Sequence, residues 1–189
     1  RKKWMSEPEK GGRKIPVRIG GKKVRGKRDS KTFFDPSRPG ISSGFEIQLA
    51  GLKDIHAAVD LARKDPEGWG ETLLEERHRL LRGTANKMRE RRGELIGVAA
   101  LTAGKTFYES DPEVSEAVDF VEFYPYSFNC LKQQTGLDFE PLGTVLVISP
   151  WNFPIAIPVG GVAAALAAGL VIAIGAVEKI ALRRMGLAR

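Results

Sequence analysis

One cysteine, Cys130, is all the 189-residue chain has. An internal disulfide is therefore excluded, and a reducing, cytoplasmic setting is expected. Cys130 sits in Phe128-Asn129-Cys130-Leu131-Lys132, on the tail of an apolar helical pattern, where a buried structural thiol is the expectation. Histidine is scarce as well. His56 and His78 lie among charges with no second ligand at metal spacing, so surface positions and no metal centre are expected. No Gly-x-Gly-x-x-Gly fingerprint occurs, nor any internal repeat or low-complexity block. The first residue is Arg1 rather than methionine, which suggests a trimmed amino end. No apolar segment lies near it, so no signal peptide is expected.

What the chain does have is enough apolar material for one domain with a core, at 42% hydrophobic residues. Its formal charge of +7 is uneven. Residues 1–28 carry twelve Lys or Arg against two Glu, so the remainder is net acidic. Such a run can bind nucleic acid or an anionic surface. Trp4 is its only ring, and no recognition motif accompanies it, so residues 1–14 are expected to be a solvated, flexible basic arm with no nucleic-acid partner.

Gly20-Gly21, between Ile15–Ile19 and Lys22–Arg25, predicts a short hairpin. Phe33 to Gly40 is dense in turn residues, and Phe45 to Ala50 alternates like an edge strand. Four helices are then expected. The first runs over 52–64, with Ile55, Ala58, Val59 and Ala62 on one face; the second covers 73–91, with Leu74, Leu81, Ala85 and Met88. Gly93 separates the third, 94–103. The fourth begins after Asp111 as N-cap, with Pro112 at its first position, and buries Val114, Ala117, Val118 and Val121. Pro125 should kink or stop it.

Residues 141–169 organise the rest. Thr144 to Ile148 is apolar without alternation, which suits a parallel strand covered on both faces. Ser149-Pro150-Trp151-Asn152-Phe153-Pro154 then breaks the strand, because two prolines four apart fit neither a ladder nor a helix interior. The turn thereby projects Asn152 from the carboxyl end of a strand, the edge where open α/β sheets bind ligands. From Ile155 to Ala168 small residues dominate, so a helix there can approach its neighbours closely. Leu170 to Ile174 predicts a second strand, completing one βαβ unit, and a terminal helix carries Lys179, Arg183, Arg184 and Arg189.

Pro150-Trp151-Asn152-Phe153-Pro154, with an Ile148-Ser149 strand end before it and Ala163-Ala164-Ala165-Leu166-Ala167-Ala168-Gly169 after, resembles the signature of the NAD(P)-dependent aldehyde dehydrogenase superfamily. Ile157-Pro158-Val159-Gly160-Gly161-Val162 is similar to the glutamate-semialdehyde (1-pyrroline-5-carboxylate) dehydrogenase half of bifunctional proline-utilisation enzymes. The resemblance spans roughly residues 15–169. It implies an α/β chain: an incomplete aldehyde-dehydrogenase-like fold with a helical layer over 15–140, and over 141–189 the start of a Rossmann-like cofactor domain. It implies Asn152 as the oxyanion donor. Ile148, Ser149, Pro150, Trp151, Asn152 and Glu178 would line the NAD or NADP cleft, and Phe153 and Ile157 the aldehyde tunnel. For these apolar residues plain core packing is the competing reading, and for Asn152 a turn bond to its own backbone. Past Gly169 the chain departs from the family. Gly175-Ala176-Val177-Glu178 stands where the family has Lys-Pro-Ala-Glu, and only the Glu is kept, which counts against tight cofactor binding. The family carries its catalytic Cys and Glu on the order of a hundred residues beyond the Asn, so this chain is expected to be inactive alone. Association with itself or with the rest of an enzyme is the implied partnership, and uncovered apolar surface predicts self-association.

A second class competes. Residues 141–177 contain no charged side chain, and 155–174 has spanning length before a Lys/Arg cluster, as in a membrane-anchored basic protein. Pro158, the Gly160-Gly161 pair and the alanine content count against it, so no membrane partner is expected.

Overall fold

The computed structural model describes residues 13–140 and 142–173. The chain opens with three short strands, β1 (Arg13–Ile15), β2 (Arg18–Ile19) and β3 (Lys22–Lys23), then β4 (Ser30–Phe34) and β5 (Ser42–Gln48). Four helices follow: α1 (Leu52–Lys64), α2 (Leu74–Glu90), α3 (Arg92–Ala103) and α4 (Phe107–Lys132). The unit β6 (Thr144–Leu146), α5 (Ala156–Ala167), β7 (Val171–Ala173) ends the described part.

β2 and β3 form the expected hairpin, with Gly20 and Gly21 at φ of 54° and 72°. That left-handed backbone is why two glycines stand there. β5 is not an edge strand. It is the centre of a three-stranded sheet, parallel to β1 and antiparallel to β4. Side-chain alternation in a strand does not report how many strands flank it. The turn before it is built on Asp35, whose carboxylate accepts from the Ser37 N–H at 2.8 Å and from Arg38 at 2.7 Å.

The first three helices lie within a few residues of where their periodicity puts them, except that Arg91, not Gly93, separates α2 from α3. α4 is a correction. It starts at Phe107, not Pro112. Thr106 is its N-cap, and the Glu109 carboxylate accepts from both the backbone N–H and the hydroxyl of Thr106 at 2.8 Å. That reciprocal cap outcompetes Asp111, which instead accepts from Arg92 at 2.6 Å. Pro125 does not stop the helix, which continues to Lys132.

α4 is the spine of the core. Val118 and Val121 pack with Leu81 and Ala85 of α2 and Ala163 and Ala167 of α5. One turn earlier, Val114 and Ala117 pack with Ala99 of α3 and with Ile155 and Ala156 at the start of α5. α5 can enter because of its glycines: a Cβ on Gly160 would lie 2.8 Å from the Phe120 ring, and one on Gly161 would lie 2.9 Å from Val147.

β6 and β7 are parallel, in register from Thr144↔Val171 to Leu146↔Ala173, so the crossover unit forms, but β6 stops at Leu146 and is not covered on both faces, Leu146 being 45% exposed. The apolar run 155–174 is not a membrane span. α5 is twelve residues long, Gly169 ends it at φ 81°, and β7 follows. Among the described residues no helix is long and apolar enough to cross a membrane. Residues 1–12 of the basic arm and the terminal helix expected after Ile174 lie outside the described residues; Arg13 and Lys14 of the arm fall in β1.

Cys130 is exposed, not buried. The buried stripe of α4 runs through Val114, Val118, Val121 and Pro125, and Cys130 falls off it, in the last turn, with Tyr126 exposed one turn before. His56 is exposed. His78 is half-buried, with Nε2 out of contact with solvent and no hydrogen-bond partner, because the face it shares with Leu81 and Ala85 turns toward α4.

Candidate functional site

Residues 147–155 join the carboxyl end of β6 to the amino end of α5. Asn152 lies at their exposed crest. Trp151 is 73% exposed, Ile148 50%, Ile157 42% and Phe153 38%, so core packing is not what holds these apolar side chains. Pro150 is exposed and Ser149 half-buried. Among the residues expected from the sequence, Ile148 to Phe153 lie on the loop between β6 and α5 and Ile157 in the first turn of α5; Glu178 lies outside the described residues.

The turn is held from beneath by two residues that sequence reasoning missed. α5 begins with Ile155 as its N-cap residue, and a hydrocarbon cannot accept from the free N–H groups of a first turn. Glu113 of α4, 2% exposed, supplies the acceptor: its Oε1 takes the Ile155 N–H at 2.7 Å and the Ala156 N–H at 3.1 Å. Its other oxygen accepts from Lys105 Nζ at 2.6 Å. Lys105 Nζ in turn lies 4.1 Å from the centre of the Phe153 ring, a cation–π contact beside Asn152. The available cue was a carboxylate on the buried stripe of α4, at Glu113 immediately before Val114.

The other end of α5 is held too. Arg77 of α2 donates to the carbonyl of Ala167 at 3.0 Å and to that of Thr72 at 2.8 Å, and Trp69 Nε1 donates to the Leu166 carbonyl at 3.2 Å. Burial lowers the Arg77 pKa from its ordinary value. A guanidinium at a helix carboxyl end is favourable for the same dipole reason that a carboxylate is favourable at the start.

Concavities among the described residues lie elsewhere. One of about 620 Å³ sits between Gly20-Gly21, α1 and α5, lined by Leu61, Ala62, Trp69 and Leu166. One of about 330 Å³ sits between α2 and α4, lined by His78, Arg82, Tyr126 and Asn129. Neither reaches Asn152. Among the described residues, no group of three or more His, Cys, Asp or Glu side chains is arranged to hold a metal ion.

A helical layer followed by a parallel βαβ crossover is a mixed α/β architecture. Within that class the assignment is specific. Residues 28–188 match the model of the aldehyde dehydrogenase family, and the chain belongs to that family. It is 38% identical over 141 residues to the bifunctional protein PutA of Escherichia coli, covering 72% of this chain and 10% of that one. It is 33% identical over 170 residues to 1-pyrroline-5-carboxylate dehydrogenase of Geobacillus thermodenitrificans, covering 84% of this chain and 32% of that one. A solved 1-pyrroline-5-carboxylate dehydrogenase from Thermus with bound NAD superposes with a TM-score of 0.76 at 32% identity, covering 87% of this chain and 34% of that one. The chain thus spans about a third or less of these relatives.

Proposed function

We propose that residues 147–157 form the oxyanion side of an active site that oxidises an aldehyde, glutamate semialdehyde by analogy with the named relatives, to its carboxylate. The observation that carries this reading is Asn152 at the crest of a loop leaving the carboxyl end of a parallel strand. When a thiolate adds to the aldehyde carbon, the carbonyl oxygen gains charge, and the Asn152 side-chain NH2 donates to it. A donor placed in this way supports roughly 3–4 kcal/mol of transition-state stabilisation. Phe153 and Ile157, both partly exposed, offer apolar surface to the aldehyde.

The residues present fit the nicotinamide side of NAD(P): Ile148 and Trp151 offer exposed apolar surface, and Ser149 and Pro150 a turn between them. The adenosine side fits less well, because Gly175 replaces the family lysine. NAD(P), when bound, takes the hydride.

The thiolate does not come from Cys130. It lies 17 residues beyond Glu113 on α4, about 25 Å at the α-helical rise of roughly 1.5 Å per residue. This polypeptide alone is therefore expected to give no NADH absorbance with glutamate semialdehyde and NAD⁺. The reading itself is tested in a chimera, by placing residues 142–169 into the Geobacillus enzyme. Activity should be retained, and Asn152→Ala in that chimera should lower kcat about 10²- to 10³-fold with little change in KM. Full activity of the Ala variant would overturn the assignment.

A further inference from the structure

We infer that Glu113 and Lys105 are positioning residues for Asn152: together they form a buried brace that fixes the turn on which the amide is carried. The inference deepens the reading above, and its mechanistic meaning rests on Asn152 being the oxyanion donor. The brace itself does not rest on that reading.

Three observations carry it. First, α5 has no cap of its own. The N-cap position is Ile155, no side chain from the turn accepts from its first amides, and the acceptor arrives from a residue 42 positions earlier. An anion at a helix start satisfies the free N–H groups and the local dipole together. Second, the bridge is buried and complete. The Glu113 and Lys105 side chains are 1% and 11% exposed, and both carboxylate oxygens are used. Third, the bridge reaches the residues on the carboxyl side of Asn152. Lys105 contacts the Phe153 ring, and Glu113 holds Ile155 and Ala156. β6 fixes the other end of the loop. Apart from the brace, the first turn of α5 is held by the packing of Ile155 and Ala156 against Ala99, Val114 and Ala117, and the hydrogen bonds among the described residues include none made by residues 147–154. With it, the crest is tied within one residue of Asn152.

The brace also explains how α4 is delivered. Gly104, at φ 68°, ends α3 and turns the chain directly into Lys105, and the Thr106–Glu109 cap then starts the helix that carries Glu113 two turns later. The two partners are eight residues apart because a single cap separates the loop lysine from the buried face of the helix.

The test is amide hydrogen exchange of the 189-residue chain, read by mass spectrometry at residue resolution, with no turnover required. Glu113→Ala should speed exchange at Ile155 and Ala156 by about tenfold more than at Ala163 in the middle of α5. Glu113→Gln keeps one oxygen for the two N–H groups and should restore most of their protection. Lys105→Met keeps the acceptor of both N–H bonds but leaves the buried carboxylate without its cation, and should speed exchange at Ile155 and Ala156 by less than Glu113→Ala does. Where Glu113→Ala does not fold, the Gln and Met variants decide between the outcomes. Uniform acceleration along α5 in any folded variant, or unchanged exchange at Ile155 and Ala156 in Glu113→Ala, would overturn the brace. Asn152→Ala should leave the pattern at 155 and 156 within about threefold of the parent, so a failure of the oxyanion reading and a failure of the brace remain distinguishable.

Discussion

At the scale of single residues, ion pairs set how the chain answers to acid. Glu122 on α4 is held below the usual carboxylate range by bidentate bonds from Arg89 of α2, each 2.7 Å. Asp111 is lowered by Arg92, and Glu109 by the backbone and hydroxyl of Thr106. Burial pushes the Asp35 carboxyl up, but the bonds from Arg38 and Ser37 outweigh that and hold it below its ordinary value. For each group the folded pKa lies below the unfolded one. The contribution is therefore present above the unfolded carboxylate range, near pH 4, and is lost as pH falls through the folded value. The urea midpoint should decline below about pH 4, and Glu122→Gln should flatten part of that decline. The Arg89–Glu122 and Arg92–Asp111 pairs are solvent-accessible, so each contributes modestly; only Asp35 among these carboxylates is buried.

At the scale of elements, the tightest fit is α5 between α4 and β6. Gly160→Ala would bring a methyl to 2.8 Å from the Phe120 ring, and helix propensity alone would favour the alanine. The clash wins if Phe120 cannot rotate away, and its stacking on Tyr124, with ring centres 5.5 Å apart, restrains it. A loss of about 1–3 kcal/mol in urea denaturation is expected for Gly160→Ala, whereas the exposed Gly83→Ala on α2, with nothing near its Cβ, should gain up to about 1 kcal/mol. The elements were mostly legible beforehand because amphipathic spacing is local: α1, α2, α3 and the β6–α5–β7 unit follow from it. What was not legible depended on partners far along the chain. β5 gained a parallel neighbour, β1, and the alternation of a strand says nothing of this. α4 started one turn and a half early because a reciprocal cap outweighed a lone Asp-Pro signal. At the site, the crest carrying Asn152 was readable from its two prolines. Glu113 was not, because a carboxylate among helical residues ordinarily signals a solvated face.

At the scale of the whole molecule, the helical layer and the crossover unit are one mechanical body. Glu113 grips the start of α5, and Arg77 and Trp69 grip its end, all from elements that precede residue 133. The connector over 133–140 contributes little to this hold, since every residue in it is exposed. Among the described residues, a protease should therefore cut there, at Lys132 or nearby. Cleavage should leave two pieces that elute together on size exclusion in buffer and part in urea. The covalent link between the two halves would then be dispensable once folding is complete, which makes this chain a natural candidate for expression as a split pair.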